Sequence, residues 1–266
     1  MLQNNDGFDF YAALCAQSAR NTKIESRDFY DALREASTKK EILSLIKNCP
    51  NIDAQDHNGV TALMRAIGND RDQIAELLIK NGANLDLRAV NHTSALMEAV
   101  VGHKTKIAKL LIEKGANLDL QVNSMHWCTY PRGWTALMLS IDRNGSEIAE
   151  LLIKNGANLN LQSADGKTAL MMAIEKGNTE IAQLLIEKGA KLDLQDNKGR
   201  PALLYAVWYG NKEIEKLITE KQQEKIQKTK EEVQKLQEKA KIATVKPYRS
   251  TPTQRLLRLR KLRGCR

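Results

Sequence analysis

Leu-Leu-Ile-Lys-Asn-Gly-Ala at residues 77–83 recurs at 151–157, and the close variant Leu-Leu-Ile-Glu-Lys-Gly-Ala stands at 110–116 and 184–190. The glycines of the four copies, Gly82, Gly115, Gly156 and Gly189, are 33, 41 and 33 residues apart. A repeat period of this length indicates stacked supersecondary units and not one globular core. Because such arrays usually present an extended surface, the functional question is what that surface contacts.

Residues 56–88 make up one unit. Asp56-His57-Asn58-Gly59 is typical of a tight turn, and Thr61 is placed to cap a first helix that begins at Ala62. A second helix is predicted over Gln73–Lys80, ended by Gly82 in the left-handed conformation. Helices this short are marginal alone and need neighbours on both sides. We call the first helix of each unit the inner helix and the second the outer helix.

Later units open in the same way, with Ser94-Ala95-Leu96-Met97, Thr135-Ala136-Leu137-Met138, Thr168-Ala169-Leu170-Met171 and Pro201-Ala202-Leu203-Leu204. At these residues the chain resembles the ankyrin-repeat family, and within it the ankyrin-repeat proteins of intracellular bacteria. The resemblance implies an all-α repeat solenoid with short β-hairpin tips. The family's Thr-Pro-Leu-His opening is Thr-Ala-Leu-Met here, so we expect a weaker polar network between units. The tip at Ala89–His92 lacks the turn glycine and is expected to be irregular.

Four segments are predicted. Residues 1–27 form a partly helical N-terminal segment, and residues 28–222 form an array of five units preceded by a degenerate N-terminal half-unit. Residues 223–244 extend the last helix, because no glycine or proline follows where Gly189 ended the previous unit, so one helix is expected from about Lys212 to Ala243. Residues 245–266 form a basic tail that we expect to be disordered.

The array is interrupted once, by eight extra residues within Val122–Arg132. Insertions in repeat arrays map to loops that often lie on the binding face, although Trp127 could instead fold back over a neighbouring unit. The three tryptophans fall at positions that the core of the repeat does not require, and Trp and Tyr are common interface anchors. We therefore predict a binding surface on the hairpin tips and inner helices, formed by Trp127, Tyr130, Trp134, Arg143, Lys176, Trp208 and Tyr209. The alternative for Trp208 is packing beneath the C-terminal helix.

The positive charge of the chain is concentrated in its tail. The formal net charge is +9, and the eight basic residues of 245–266, which has no acidic residue, account for all but one of it. Leucines and arginines alternate there, which would suit an anionic membrane surface, nucleic-acid phosphates or a transport signal. The residues that would make such contacts are Arg255, Arg258, Arg260, Lys261 and Arg263.

The helical extension carries a heptad-like pattern of Ile226, Thr229, Val233, Leu236, Ala240 and Ala243. With one threonine and two alanines among six positions, the pattern predicts at most a weak coiled coil. Three interpretations remain open: a solvated helix, a cap packed on the array, or a helix that binds a partner or a second copy.

No catalytic constellation is apparent. The four histidines are isolated, and the carboxylates Asp86, Asp119 and Asp193 recur with the repeat, which indicates a role in turns or on the surface. We expect no enzyme activity, no cofactor, no metal, no small-molecule substrate and no membrane-spanning helix. The four scattered cysteines suggest thiols in a reducing compartment, and we expect a cytoplasmic monomer. The leading hypothesis is a protein–protein interaction module, in one version a secreted effector delivered to a host cell. The alternative is membrane or nucleic-acid binding by the tail.

Overall fold

The computed structural model describes residues 26–123 and 130–245, which contain twelve α-helices. The N-terminal half-unit consists of α1 (Ser26–Glu35) and α2 (Lys39–Asn48). The inner and outer helices of units 1 to 5 then follow in pairs: α3 (Ala62–Gly68) and α4 (Asp72–Lys80), α5 (Ala95–Val101) and α6 (Thr105–Glu113), α7 (Ala136–Asp142) and α8 (Ser146–Lys154), α9 (Ala169–Glu175) and α10 (Thr179–Glu187), and α11 (Ala202–Trp208) and α12 (Lys212–Val245). The units begin at Asp56, Ala89, Val122, Ser163 and Asp196. The predicted helical solenoid is confirmed.

A side-chain cap fixes where the inner helices of units 1 to 4 begin. The residue before each helix is extended, and its hydroxyl oxygen accepts a hydrogen bond from the backbone N–H three residues later; these caps are Thr61, Ser94, Thr135 and Thr168. Such a bond satisfies one of the N–H groups that a helix leaves unpaired at its start. In unit 5 the cap position is Pro201, which offers no side-chain hydrogen bond.

Thr168→Ala is expected to lower the free energy of unfolding by about 1 kcal/mol, because the N–H of Met171 loses its acceptor in a buried position. Thr168→Ser keeps the hydroxyl and should stay within about 0.5 kcal/mol of the wild-type value. Urea denaturation of both variants measures the difference. An equal loss in the two variants would mean that the methyl group, and not the cap, stabilises the helix.

The outer helices of units 1 to 4 pack closely because each carries an alanine where two units meet. Ala75, Ala108, Ala149 and Ala182 are all fully buried, and so are the leucines three residues later, Leu78, Leu111, Leu152 and Leu185. Removing this apolar surface from water drives the stacking of helices that are too short to be stable alone. The hydrophobic core is therefore continuous from α1 to the start of α12.

One row of polar contacts between units runs along the tips and the loops beside them. Before the tips of units 1, 3 and 4, a glutamine side chain donates to a backbone oxygen of the tip that follows it and to the backbone oxygen of the equivalent residue one repeat later; these glutamines are Gln55, Gln121 and Gln162. Asp86 and Asp119 accept the backbone N–H of Asn117 and Asn158 in the following unit, at 2.8 Å each. The structural role predicted for these two recurring carboxylates is confirmed.

The tips also bond directly to one another. The N–H of Val90 donates to Asn58 O, that of Ala164 to Arg132 O and that of Asn197 to Asp165 O. The backbones of neighbouring tips lie so close together that no side chain fits at the turn glycine: a Cβ added to Gly166 would lie 2.6 Å from Asn197 N. The glycine is therefore required by the neighbouring unit as well as by its own turn.

The prediction of an irregular tip in unit 2 is wrong. His92 takes the place of the turn glycine with φ +62°, and Ala89 and His92 make the same backbone bonds as Asp56 and Gly59 in unit 1. The next tip in the array is the one that contains the insertion. Among the described residues no tip bond joins Asn91 to Asn123.

The eight extra residues of unit 3 lie within its tip. Val122 N–H donates to Trp134 O and Gly133 N–H to Val122 O, which are the bonds that close an ordinary tip. The insertion therefore leaves the helices of unit 3 in register with the array. Residues 124–129 lie outside the described residues, and with them Trp127.

Helix α12 runs over Lys212–Val245, which confirms the predicted long C-terminal helix. The chain divides into two units between Ile218 and Thr219, within α12, and the predicted segment bounds stay a prediction. Ile226, Val233 and Leu236 are 55%, 47% and 64% exposed, and the weak coiled coil stays a prediction. No described helix has the length and apolar character to cross a membrane. Residues 1–25 and the tail, with the five cations proposed for membrane or nucleic-acid contact, lie outside the described residues.

Candidate functional site

The C-terminal ends of the inner helices in units 3, 4 and 5 form one connected surface, which we call the inner-helix face. It carries Arg143 after α7, Lys176 after α9, and Trp208 and Tyr209 at the end of α11. Ion pairs and hydrogen bonds link successive units: Lys176 Nζ lies 2.7 Å from Asp142 Oδ1, and Tyr209 OH donates to Glu175 Oε1 at 3.1 Å. The structure thus brings Arg143, Lys176, Trp208 and Tyr209 onto one surface.

At the unit 3 end of the face, Tyr130 and Arg143 are in contact. The Arg143 guanidinium carbon lies 5.9 Å from the centre of the Tyr130 ring, a cation–π geometry. Burial, and after it the Glu98 carboxylate, raise the pKa of Tyr130, so the phenol is a neutral hydrogen-bonding group. Trp134 is half-buried against the core, as is Val60 at the same position of unit 1, and is less available than the sequence indicated.

The unit 5 end of the face is an aromatic cluster on α11. The rings of Tyr205 and Tyr209 stack with centroids 6.2 Å apart. Arg200 lies over two rings, 5.3 Å from the centroid of Tyr205 and 5.4 Å from that of Trp208. Trp208 is 59% exposed and Tyr209 51% exposed, so the alternative in which Trp208 is covered is wrong. Both rings are held on a rigid helix yet open to water.

Asp196 organises this cluster from beneath. Its carboxylate accepts the N–H groups of Lys198 and Arg200, both at 2.9 Å, and the hydroxyl of Tyr205 at 2.8 Å, and it pairs with the Arg200 guanidinium. The hydrogen bond from Arg200 is the main reason that the pKa of Asp196 is well below its usual range, although burial opposes it. Burial, reinforced by the bond to Asp196, raises the pKa of Tyr205.

Glu175 connects the unit 4 and unit 5 parts of the inner-helix face. Its carboxylate lies 2.7 Å from Lys167 Nζ and also accepts the hydroxyl of Tyr209. Lys167 in turn lies 5.9 Å from the centre of the Tyr205 ring. Burial, followed by the charge of Glu175, raises the pKa of Tyr209, so its hydroxyl stays protonated at neutral pH.

Sequence reasoning missed Tyr205 and Asp196 as members of this site. The helical spacing of Tyr205 from Trp208 and Tyr209 was a usable signal, because residues three and four apart on a helix share a face. Asp196 carried no such signal, since the same position in unit 1 is also an aspartate that pairs with an arginine, Arg65, away from this surface.

The side chains on the inner-helix face are of the kinds that bind a partner. It offers exposed aromatic rings, paired cations and neutral phenols, a combination enriched at protein interfaces. Among residues 26–123 and 130–245, no group of three or more His, Cys, Asp or Glu side chains is placed to hold a metal ion.

Comparisons with known proteins agree with this architecture. The family description "Ankyrin repeats (3 copies)" matches residues 32–122, 94–163, 121–196 and 137–230. The crystal structure of EF0377, an ankyrin repeat protein, is similar with 27% identity and a TM-score of 0.61 over 74% of this chain and 98% of that chain. A chain in the complex of the predatory endopeptidase Bd0816 from Bdellovibrio bacteriovorus with the immunity protein Bd3460 is similar with 28% identity and a TM-score of 0.58, over 74% of this chain and all of that one. No protein of curated function matches the sequence.

Proposed function

The chain belongs to the ankyrin-repeat family, whose repeats are protein–protein interaction modules, and we propose that it binds a protein partner through the inner-helix face of units 3 to 5. The observation that carries the proposal is the exposure of Trp208 and Tyr209 on a helix that fixes their positions. Large aromatic side chains that lose little freedom on binding are the usual energetic centres of interfaces. That one similar chain comes from a complex of two proteins also supports a binding role.

The surroundings of the Trp208 and Tyr209 rings favour specific binding over nonspecific hydrophobic association. Arg200 holds Trp208, while the hydrogen bond to Glu175 holds Tyr209, so both rings are ordered before a partner arrives. The cations Lys167 and Lys176 are already paired with carboxylates, which leaves the face nearly neutral. We therefore propose a partner held by aromatic contacts and hydrogen bonds, with no catalysis by this chain.

The test is a photo-crosslinking pull-down with the full chain, followed by affinity measurement for the captured protein. The double variant Trp208→Ala, Tyr209→Ala is expected to bind about 30-fold more weakly, as is usual for the loss of interface anchors. Val90→Ala is the matched control, because Val90 is 66% exposed in the tip of unit 2 and lies outside the proposed face; it should change the affinity by less than about threefold. Unchanged binding in the double variant would refute the proposal.

The same assay separates this proposal from binding by the tail. Replacing Arg255, Arg258, Arg260 and Arg263 together with serine should leave the affinity for the captured protein unchanged. Binding driven by the tail would be lost in that variant and would fall steeply with salt, whereas contacts made by aromatic rings depend little on salt. Delivery to a host cell as an effector stays a prediction that rests on the family resemblance.

A further inference from the structure

The part of α12 that follows Ile218 carries an exposed apolar stripe. Residues 223–240 are all exposed, and the large apolar residues among them, Ile226, Val233 and Leu236, are each at least 47% exposed. Their spacing of seven and three residues puts them at the a and d positions of a heptad, on one side of the helix. We call the residues at these positions the seam: Ile226, Thr229, Val233, Leu236, Ala240 and Ala243.

The local interactions along this part of α12 are modest. Lys221 Nζ lies 3.1 Å from Glu224 Oε2, and Gln227 Nε2 donates to Glu231 Oε1 at 3.0 Å. Pairs of this kind on an exposed helix add little to its stability, and most helices in proteins depend on an apolar face that is covered. Covering the seam would therefore stabilise α12, because it removes the apolar stripe from water.

We propose that the seam pairs with the seam of a second copy of this chain, as an antiparallel coiled coil in which Val233 of each copy lies opposite Leu236 of the other. A two-fold axis then relates the copies, so the contact closes after two chains and does not propagate into a filament. The occupant is a second copy because the seam and the charges beside it are complementary to themselves in this register, in both size and sign.

The sizes of the seam residues fit this register. Thr229 comes opposite Ala240 of the other copy, and Ile226 comes opposite position 243, an alanine. Each alanine therefore faces a larger residue, and the separation of the two helices can stay nearly constant along the seam. In a parallel pair every seam residue faces its own copy, so two alanine layers follow the layers of larger residues and cannot pack at the same separation.

The charges beside the seam select the same register. Glu232 and Lys239 occupy the g positions, which face each other in an antiparallel pair, and each Glu232 comes beside Lys239 of the other copy. Side chains tilt toward the N-terminus of their own helix, so these two converge. A parallel pair instead brings Lys225 beside Lys230 of the other copy, and sliding the antiparallel pair by one heptad toward the array brings Glu232 beside its own copy.

The basic C-terminal residues also favour the antiparallel arrangement. Residues 245–266 carry eight basic side chains and no acidic one. A parallel pair brings these two segments together, whereas the antiparallel pair attaches them at opposite ends of the seam. Residues 226 and 243 are about 25 Å apart along the helix, which exceeds the Debye length of about 8 Å at physiological salt. This dimer replaces the monomer expected from the sequence and does not depend on the proposed partner site.

Sedimentation equilibrium of the full chain over about 5–500 μM tests the proposal. The seam buries less than the roughly 800 Å² per partner of a standard interface, so a dissociation constant on the order of 100 μM is expected. Glu232→Lys and Lys239→Glu should each weaken the dimer at least about tenfold, because both opposite-charge pairs become like-charge pairs. Both positions are exposed, so the variants should fold, and circular dichroism checks that they do.

An equimolar mixture of the two variants distinguishes this register from others. Their heterodimer pairs the introduced lysine with the introduced glutamate and keeps the native pair on the other side of the axis, so most of the wild-type affinity should return. Positions 232 and 239 do not meet in a parallel pair, which this mixture therefore cannot rescue. A mixture that associates no better than either variant alone overturns the proposal, as does a wild-type chain that is monomeric at 500 μM.

Glu231→Lys is the matched control. It makes the same change of charge one residue away, at the f position on the side of α12 opposite the seam. The dissociation constant of this variant should stay within about threefold of the wild-type value. A loss of affinity equal to that of Glu232→Lys would mean that the net charge of the helix, and not the pairing with Lys239, controls association, and would overturn the proposal.

Discussion

Gly166→Ala should destabilise the array by about 3 kcal/mol. Two effects add: an alanine at φ +80° costs about 1 kcal/mol, and its Cβ would lie 2.6 Å from Asn197 N and 2.9 Å from Asp196 C, both backbone atoms of the next tip. Relieving that overlap requires the tips of units 4 and 5 to separate, which weakens the bond from Asn197 N–H to Asp165 O.

Gly177→Ala is the matched control for this prediction. Gly177 lies in the same unit with φ +69°, but a Cβ there would have nothing within 4 Å, so only the backbone cost of about 1 kcal/mol applies. Urea denaturation of the two variants isolates the contribution of the tip contact as their difference, about 2 kcal/mol. Equal losses in the two variants would show that the tips can move apart without cost.

Asp196→Asn is expected to lower the free energy of unfolding by about 2–3 kcal/mol at pH 7. The change removes the charge that pairs with Arg200 in a buried position, where only 1% of the Asp196 side chain is exposed. The guanidinium then lacks a counter-charge beneath the Tyr205 and Trp208 rings. Glu76→Gln is the control: Glu76 pairs with Lys80 on an exposed surface, and its loss should cost less than about 0.5 kcal/mol.

The same variant should change how stability depends on pH. Because the pKa of Asp196 is lower in the folded state than the value of about 3.9 expected for the unfolded chain, its contribution is complete above about pH 5 and decreases as the pH falls below 4. The wild type and Asp196→Asn should therefore differ most above pH 5, and the difference should begin to shrink below pH 4 but still be present at pH 3, because the folded-state pKa lies well below that pH. Urea midpoints measured at pH 7, 5, 4 and 3 give the comparison, and a difference that grows on acidification would contradict the lowered pKa.

The sequence was most informative where local chemistry repeats with a fixed period. The cap at Thr61, the left-handed Gly82 and the apolar spacing of Ile74, Leu77 and Leu78 each predict one element, and their recurrence predicts the stacking. The long α12 followed from the absence of a stop signal. These features depend on residues that are close together in the sequence, so the sequence alone is enough to predict them.

Features that depend on the next unit could not be predicted in this way. His92 appeared to disrupt its tip, yet it occupies the glycine position with φ +62° and makes the same backbone bonds as the glycine of unit 1. Trp134 appeared to be available, yet it packs on the core. Tyr205 and Asp196 were not predicted as site residues, because the hydrogen bond between them joins a tip to a helix nine residues further along the chain.

By itself, the sequence determined the repeat, the helix boundaries, the place of the insertion and the positions that end each inner helix. Only the tertiary structure decided which of those positions are open to water, because exposure is set by what the adjacent unit covers. Ile174 and Val207 occupy the same position in successive units, yet the first is fully buried and the second 46% exposed. The physical reason is that a repeat array buries each unit with its neighbours, and within the described residues unit 5 has a neighbouring unit on one side only.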